Sequence, residues 1–344
     1  RQAAVVVLPS HLEGFGLPIL EAMAMGIPTV ASTLPAIREV TDGASVLVPP
    51  GDTAGLADAL SRVCADPGLR RDLIGRGLVR AQTYTVNRLG ERAMTIYREL
   101  LGTSRTMRIL HLTKRYWPHR GGVERHVRDL ASGLVANAGA SVEVVVAGDG
   151  ASHRSFTDNG VRVTAVASYG SLWSLDLAPA YISAVGHALR RSPDVVHLHE
   201  PHPLGLVAWR YWRTRRPLPP LVVTWHADIL RQQLLRPLYG PVQERLLAEA
   251  GAVIAQTDRH VTSSAFLPAV APKCHVIPTG VDVDAYLDPS AAEAGRQRRA
   301  SWGNPCRVVL FLGRLVYYKG VPVLLDAMAR TDATLVIEIG RAHV

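Results

Sequence analysis

Glu13-Gly-Phe-Gly-Leu-Pro-Ile-Leu-Glu21, running on to Gly26, is the stretch whose reading decides the fold. An apolar run from Ala3 to Leu8 precedes it, and Pro18 and Gly26 are the expected start and stop of a helix. One carboxylate thus stands before the turn and the other, eight positions later, inside the helix. Backbone N–H groups of Gly14, Phe15 and Gly16 would face a phosphate at the helix start, with Glu13 and Glu21 taking hydroxyls on either side of it. The plainer alternatives are a surface carboxylate at Glu21 and, at Glu13, a charge that balances the helix N-terminus.

Val5–Leu8 and Pro28–Ala31 flank that helix as strands. After a turn at Pro49-Pro-Gly-Asp52, a helix starting at Thr53 carries Leu56, Ala59, Leu60 and Val63 at helical spacing. Further helices lead to Leu101, with Leu89, Ala93, Ile96 and Leu100 on one face. A polar joint, Gly102–Thr106, then gives way to a new strand, Met107-Arg-Ile-Leu-His-Leu112. Trp117–Gly122 follows and leads into a helix with Val123, Val127, Leu130 and Leu134 on one face. Gly121 and Gly122 lack Cβ, so backbone there can approach a phosphate or an acceptor closely, although most glycine pairs are ordinary turns. Val142–Ala147, Val161–Val166, Val195–Leu198, Leu221–Thr224 and Val253–Ala255 are short β-branched runs separated by helical segments. That alternation predicts α/β architecture with a parallel, doubly wound sheet. Arg307–Leu312 begins a further sheet, with Gly313-Arg314 and Lys319-Gly320 after it.

The 344 residues suffice for two α/β lobes, and 48% hydrophobic with 19% charged content excludes a disordered chain. Three widely spaced cysteines without metal-ligand spacing predict a reducing compartment and no structural zinc. The formal charge of +9 suits nucleic acid, an anionic membrane surface or an acidic small substrate. No nucleic-acid module is readable, so nucleic acid is not an expected partner. No apolar run reaches membrane-spanning length.

The Glu13…Glu21 run resembles the E-x7-E motif of retaining GT-B glycosyltransferases of family 4, where it lies in the C-terminal, donor-binding lobe. Met107–Gly122 resembles the first βα unit of that family's N-terminal lobe, and His275-Val-Ile-Pro-Thr-Gly-Val-Asp282 its crossing between lobes. Arg314 and Lys319, five apart after a strand, resemble the pair that neutralises the departing phosphates; taken alone they would be a solvated loop pair. The resemblance covers all but the joint and the last six residues. It implies a GT-B-like fold with Rossmann-type doubly wound sheets. It also implies transfer of a sugar, with retention, from a UDP- or GDP-linked donor to a glycan or lipid-linked acceptor of polysaccharide or cell-envelope synthesis.

By the same resemblance, Glu13, Gly14, Phe15, Gly16, Glu21, Arg314 and Lys319 would bind the donor. His226, in Val-Val-Thr-Trp-His-Ala-Asp228, would act with Arg314 and Lys319 in catalysis. The Gly121-Gly122 loop, Glu200 and His202 would meet phosphate or acceptor. Arg offers a fork and Lys a point charge to phosphate oxygens, so neither a metal nor another cofactor is expected. His197 and His199, two apart on a strand, share one face, but no matching ligand cluster follows and a zinc site is not expected. Trp209-Arg-Tyr-Trp-Arg-Thr-Arg-Arg216 is either a peripheral contact with an anionic bilayer or a helix end with snorkelling arginines. The expected location is cytoplasmic, with possible attachment at the inner face of the plasma membrane.

The motif order is displaced. Residues 1–101 read as part of a donor lobe, 102–106 as a joint, 107–290 as an acceptor lobe and 306–338 as the start of another donor lobe. The reading preferred is a clipped tandem of two glycosyltransferases. A circular permutant is the alternative, which would leave about two βα units of the donor lobe missing. Residues 339–344 fit no element and are expected to be an artefactual tail. Rival functions are a truncated, non-catalytic fragment and a GT-B-fold sugar-nucleotide 2-epimerase, against which the two charged motifs argue.

Overall fold

The structure, a computed structural model, describes the chain except residues 1–2, 120, 149, 173–174, 228–235, 288, 304–306 and 340–344; side chains at 171–172, 175, 236–238, 287 and 289–292 are also left out. Asp228, Cys306 and most of the expected tail fall outside the described residues. The chain forms two compact units, residues 1–85 with 281–344, and residues 86–280.

In chain order, the first unit opens with β1 (Val5–Leu8), α1 (Leu17–Ala24), β2 (Thr29–Ser32), α2 (Pro35–Thr41), β3 (Val46–Val48), α3 (Thr53–Ala65) and α4 (Pro67–Ala81). Its helix starts follow from local chemistry. Asp52 accepts the Gly55 N–H at 2.8 Å to cap α3, Asp66 accepts from Gly68 and Leu69 to cap α4, and prolines fill first-turn positions of α1, α2 and α4.

The second unit begins with α5 (Val86–Leu101) and β4 (Arg108–Thr113), then α6 (Gly122–Ala138), β5 (Ser141–Ala147), β6 (Arg154–Asp158), β7 (Val161–Val166) and the two-residue strands β8 (Ser171–Leu172) and β9 (Leu175–Asp176). It continues with α7 (Tyr181–Arg190), β10 (Val195–Glu200), α8 (Pro203–Arg213), β11 (Leu221–Trp225), α9 (Arg236–Glu249), β12 (Ala252–Ala255), α10 (Asp258–Ser263) and β13 (Cys274–Val276). The chain then re-enters the first unit, where the Val281 N–H donates to Tyr84 O at 2.7 Å, and adds α11 (Val283–Leu287), α12 (Pro289–Ser301), β14 (Val308–Leu312), α13 (Val321–Met328) and β15 (Thr334–Glu338).

In the first unit one parallel sheet runs β15-β14-β1-β2-β3. Residues 1–101 and 306–338, expected as parts of separate donor lobes, therefore share a sheet, with Val5–Val7 in register against Val309–Phe311. Val5–Val7 is buried and β-branched, and Val309–Phe311 is apolar with Val309 and Phe311 buried, which suits interior strands of a parallel sheet. Strand order reverses direction between β14 and β1, the switch point of a doubly wound sheet.

The second unit's sheet runs β13-β12-β11-β10-β4-β5-β7-β6, parallel throughout except for β6 against β7. Its switch point lies between β4 and β10. One face packs Leu112, Leu198 and Trp225 under α7 and α8; the other packs Ile109, Val195 and Val222 under α5 and α6. The amphipathic α5, expected to close a donor lobe, belongs instead to this second unit. β6 carries no apolar alternation that would have marked it, since Arg154–Thr157 is exposed.

Candidate functional site

Ligand crevices of doubly wound sheets open at the carboxyl ends of the strands that flank the switch point. In the first unit these are the ends of β14 and β1, and both expected motifs converge there. Gly313, Arg314 and Lys319 follow β14; Ser10, Glu13 and the Gly14-Phe15-Gly16 turn follow β1. Lys319 Nζ forms an ion pair with Glu13 Oε1, both side chains being largely shielded, and the Ser10 hydroxyl donates to the same carboxylate oxygen at 3.0 Å. Arg314 donates to the Tyr318 hydroxyl at 3.0 Å and is exposed.

Two backbone positions fix this arrangement. Gly16 caps α1 at φ 91°, and a Cβ there would overlap Ile37. Gly320 takes φ 68° as it opens α13, where a Cβ would overlap the Pro9 carbonyl. Both lie in the left-handed region that glycine alone enters freely. Phe15 is buried and stands edge-on to Tyr84 at 5.9 Å, so its side chain anchors the turn. Glu21, inside α1, accepts from the Tyr286 hydroxyl at 2.7 Å. Nothing local in the sequence marks Tyr286 or Ser10 as partners of the two carboxylates.

The second unit gathers a different set. Along the face beneath α5 and α6, His111 on β4 lies in register with His197 on β10, and His199 follows two residues on. His226 follows β11, and His126 comes down from α6. The His111 and His199 rings stack at 5.2 Å between centroids, and the His199 and His226 rings at 5.4 Å. His111 Nδ1 and His199 Nε2 are 2.9 Å apart, and His199 Nδ1 and His226 Nε2 are 3.2 Å apart. His197 is fully engaged, by the Tyr97 hydroxyl at Nδ1 and the Thr224 hydroxyl at Nε2, each at 2.6 Å. Burial drives all five imidazoles below their ordinary range, His111 to about 3 and His126 to about 4, so they are neutral at physiological pH. His111 and His126 were not foreseen; the strand order that brings β4 beside β10 places His111, and the packing of α6 on that face places His126.

Glu200 and His202, expected to meet an acceptor, turn inward. Glu200 accepts from the His202 backbone N–H at 3.1 Å and from Gln243 at 2.9 Å, and burial pushes its carboxyl up to about 7. His202 Nε2 lies 2.8 Å from the Tyr181 hydroxyl, and burial lowers it to about 3. Gly121 is extended, and a Cβ there would overlap the Glu124 carboxylate, whereas Gly122 has open space, so a side chain at Gly121 would displace only the end of the Glu124 side chain. Trp209 is buried and Trp212 donates to Ile182 O at 2.7 Å, while Arg215 lies over the Tyr211 ring. This α8 segment thus presents arginines outward from a packed helix end. Among the described residues, no helix is long and apolar enough to cross a membrane.

Two Rossmann-like units, each built on a parallel-dominated sheet, place the protein in the GT-B class. Sucrose-phosphate synthase of Thermosynechococcus elongatus is similar at the level of fold, with a TM-score of 0.51 and 16% identity over 68% of this chain and 62% of that one. Residues 120–285 match the family model for Glycosyltransferase Family 4, and residues 1–66 that for Glycosyl transferases group 1. The O-antigen chain mannosyltransferase C of Escherichia coli is 31% identical over 67% of this chain and 60% of its own length. D-rhamnosyltransferase WbpZ of Pseudomonas aeruginosa is 32% identical over 67% of this chain and 59% of its own. The chain belongs to the group 1 glycosyltransferases, and it spans about 60% of the length of these curated relatives.

Proposed function

We propose that the protein transfers a hexose, with retention, from a nucleotide-diphospho-sugar to a glycan or lipid-linked acceptor. The observation that carries this reading is the convergence, at one switch point, of Arg314 and Lys319 with the Glu13–Gly16 turn that opens α1. A diphosphate seated on that turn would receive backbone N–H groups from the start of α1 and positive charge from β14's loop. Lys319 would exchange its Glu13 partner for a phosphate oxygen as the leaving group gains charge. Glu13 would then be released to hold a hexose hydroxyl, and Glu21 to hold the ribose, steadied by Tyr286. Segments 1–85 and 281–338 would act as one donor lobe, and α5 as part of the acceptor lobe.

The relatives named for mannosyl and rhamnosyl transfer favour a mannose-configured donor and an O-antigen-like glycan acceptor. Charge neutralisation by side chains means that no metal is assigned to the leaving phosphates. The test is transfer by the purified chain from GDP-mannose and from UDP-sugars, beside the Arg314→Ala/Lys319→Ala variant. The double variant should lose on the order of 10³-fold in kcat, since one preorganised charge-stabilising donor alone is typically worth about 10²–10³. Unaltered turnover in that variant would sink the assignment. No saturable heat on titration with UDP- and GDP-sugars would instead favour the truncated, non-catalytic reading.

A further inference from the structure

His126, His199 and His226 come from three elements, α6, β10 and the end of β11, yet each offers a ring nitrogen within 4.8 Å of the other two. In each ring the second nitrogen is held from outside the trio. Thr279 Oγ1 stands 3.2 Å from His126 Nδ1, His111 Nδ1 stands 2.9 Å from His199 Nε2, and Gln256 Nε2 stands 3.4 Å from His226 Nδ1. What remains is His199 Nδ1 beside His226 Nε2, and His126 Nε2, which is buried and has no hydrogen-bond partner among the described residues. One nitrogen anchored and the other directed to a shared point is how metal-bound imidazoles are oriented by their outer partners. An unsatisfied buried nitrogen is costly unless something meets it.

The other close trio, His111, His197 and His199, fails on the same count, because both nitrogens of His197 are already taken by Tyr97 and Thr224. Imidazole ligands suit zinc, copper, nickel or cobalt, whereas calcium and magnesium want oxygen. Three protein ligands leave a fourth tetrahedral position for water or another ligand.

We propose that His126, His199 and His226 bind a divalent transition-metal ion of the zinc class. Loading conserves protons: the hydrogen shared between His199 and His226 moves to His226 Nδ1, where the Gln256 carbonyl accepts it after its amide rotates. His199 keeps its Nε2 hydrogen on His111, and His126 keeps its Nδ1 hydrogen on Thr279, so all three inward nitrogens carry lone pairs. The site lies in the second unit, whereas the cations assigned to the leaving phosphates lie in the first, and the ion has no assigned part in sugar transfer.

The test is titration of the metal-stripped full chain with Co²⁺, read by visible d–d absorption and by X-ray absorption at the cobalt edge. The expected result is a saturable band at one equivalent, three imidazole nitrogens on cobalt, and displacement by Zn²⁺. Thr279→Val, which removes only an outer partner, should weaken Co²⁺ binding about 10- to 100-fold. His126→Asn should abolish it, and His187→Gln, at an exposed histidine on α7, should leave it unchanged. Should His126→Asn fail to fold, Thr279→Val and the ligand count on the unaltered protein still decide. No saturable band, fewer than three imidazoles, or unchanged affinity in Thr279→Val would overturn the proposal and leave the trio as a hydrogen-bonded histidine chain.

Discussion

Asp158 shows how much a single side chain can carry in the second unit. Arg128 grips it with two hydrogen bonds, Nε at 2.7 Å and Nη2 at 2.9 Å, and the Tyr116 hydroxyl adds a third at 3.2 Å. The Arg128 hydrogen bond, working against burial, holds the Asp158 carboxyl below the usual carboxylate range. A carboxyl whose pKa is lower folded than unfolded contributes stability above its unfolded value, about 3.9, and loses that contribution as pH falls through the folded one. Asp158→Asn should therefore cost about 1 kcal/mol at neutral pH, after allowance for solvent screening, and nothing at the acid end. Urea midpoints measured from pH 7 to pH 2 should converge for the two proteins. At the proposed donor site, Tyr286→Phe should raise the donor KM several-fold and leave kcat near its original value, because a hydroxyl that only steadies Glu21 supports binding equally in ground and transition states. Little of this residue-level pairing was legible in the sequence. Glu13 and Lys319 are 306 positions apart, and no spacing rule joins them; only the resemblance of each motif to a family pattern placed both on one ligand.

Elements were more legible than their neighbours. The stripe of Leu89, Ala93, Ile96 and Leu100 announces that α5 buries a face, because helical spacing encodes amphipathicity. It does not say what covers that face. In the structure α5 crosses α6 so closely that a Cβ on Gly90 would lie 2.6 Å from the Gly133 carbonyl carbon. Gly90→Val should thus force the helices apart and destabilise the second unit by about 1–3 kcal/mol, the usual cost of overpacking. Thermal unfolding by circular dichroism would report it, with Gly75→Ala in α4, an exposed helix-interior site with open space where about 0.5–1 kcal/mol of stabilisation is expected, as the contrasting comparison. The two- and three-residue strands β3, β8, β9 and β13 are too short to show a pattern, but most of the longer ones were readable as apolar runs rich in β-branched residues. β6 was not, since an exposed, antiparallel edge strand has no apolar alternation to display.

At the scale of the whole molecule, the polar joint at Gly102–Thr106 separates pieces that each unit reunites. β1 pairs with β14 in the first unit, and α5 packs on α6 in the second. A protease site inserted at residues 103–105 should therefore yield two fragments that stay together on native size-exclusion chromatography and part only in denaturant. Fragments that separate freely in buffer would support donor-lobe pieces belonging to different partners, as the tandem reading of the sequence has them. The displaced motif order was plain in the sequence. That both displaced segments would enter one sheet was not, because a four-residue apolar strand carries no label for its neighbour.

The placement of β1 in mid-sheet has a kinetic cost during synthesis. Val5–Leu8 is synthesised well before the strand that covers one of its edges, Val308–Leu312, which follows some three hundred residues later. At about 5–20 residues per second the nascent chain carries that bare apolar ribbon for roughly 15–60 s. Chaperone capture of the growing polypeptide, and rescue of yield by slower, cooler expression, are therefore expected of this chain order far more than of one in which the five strands emerge consecutively.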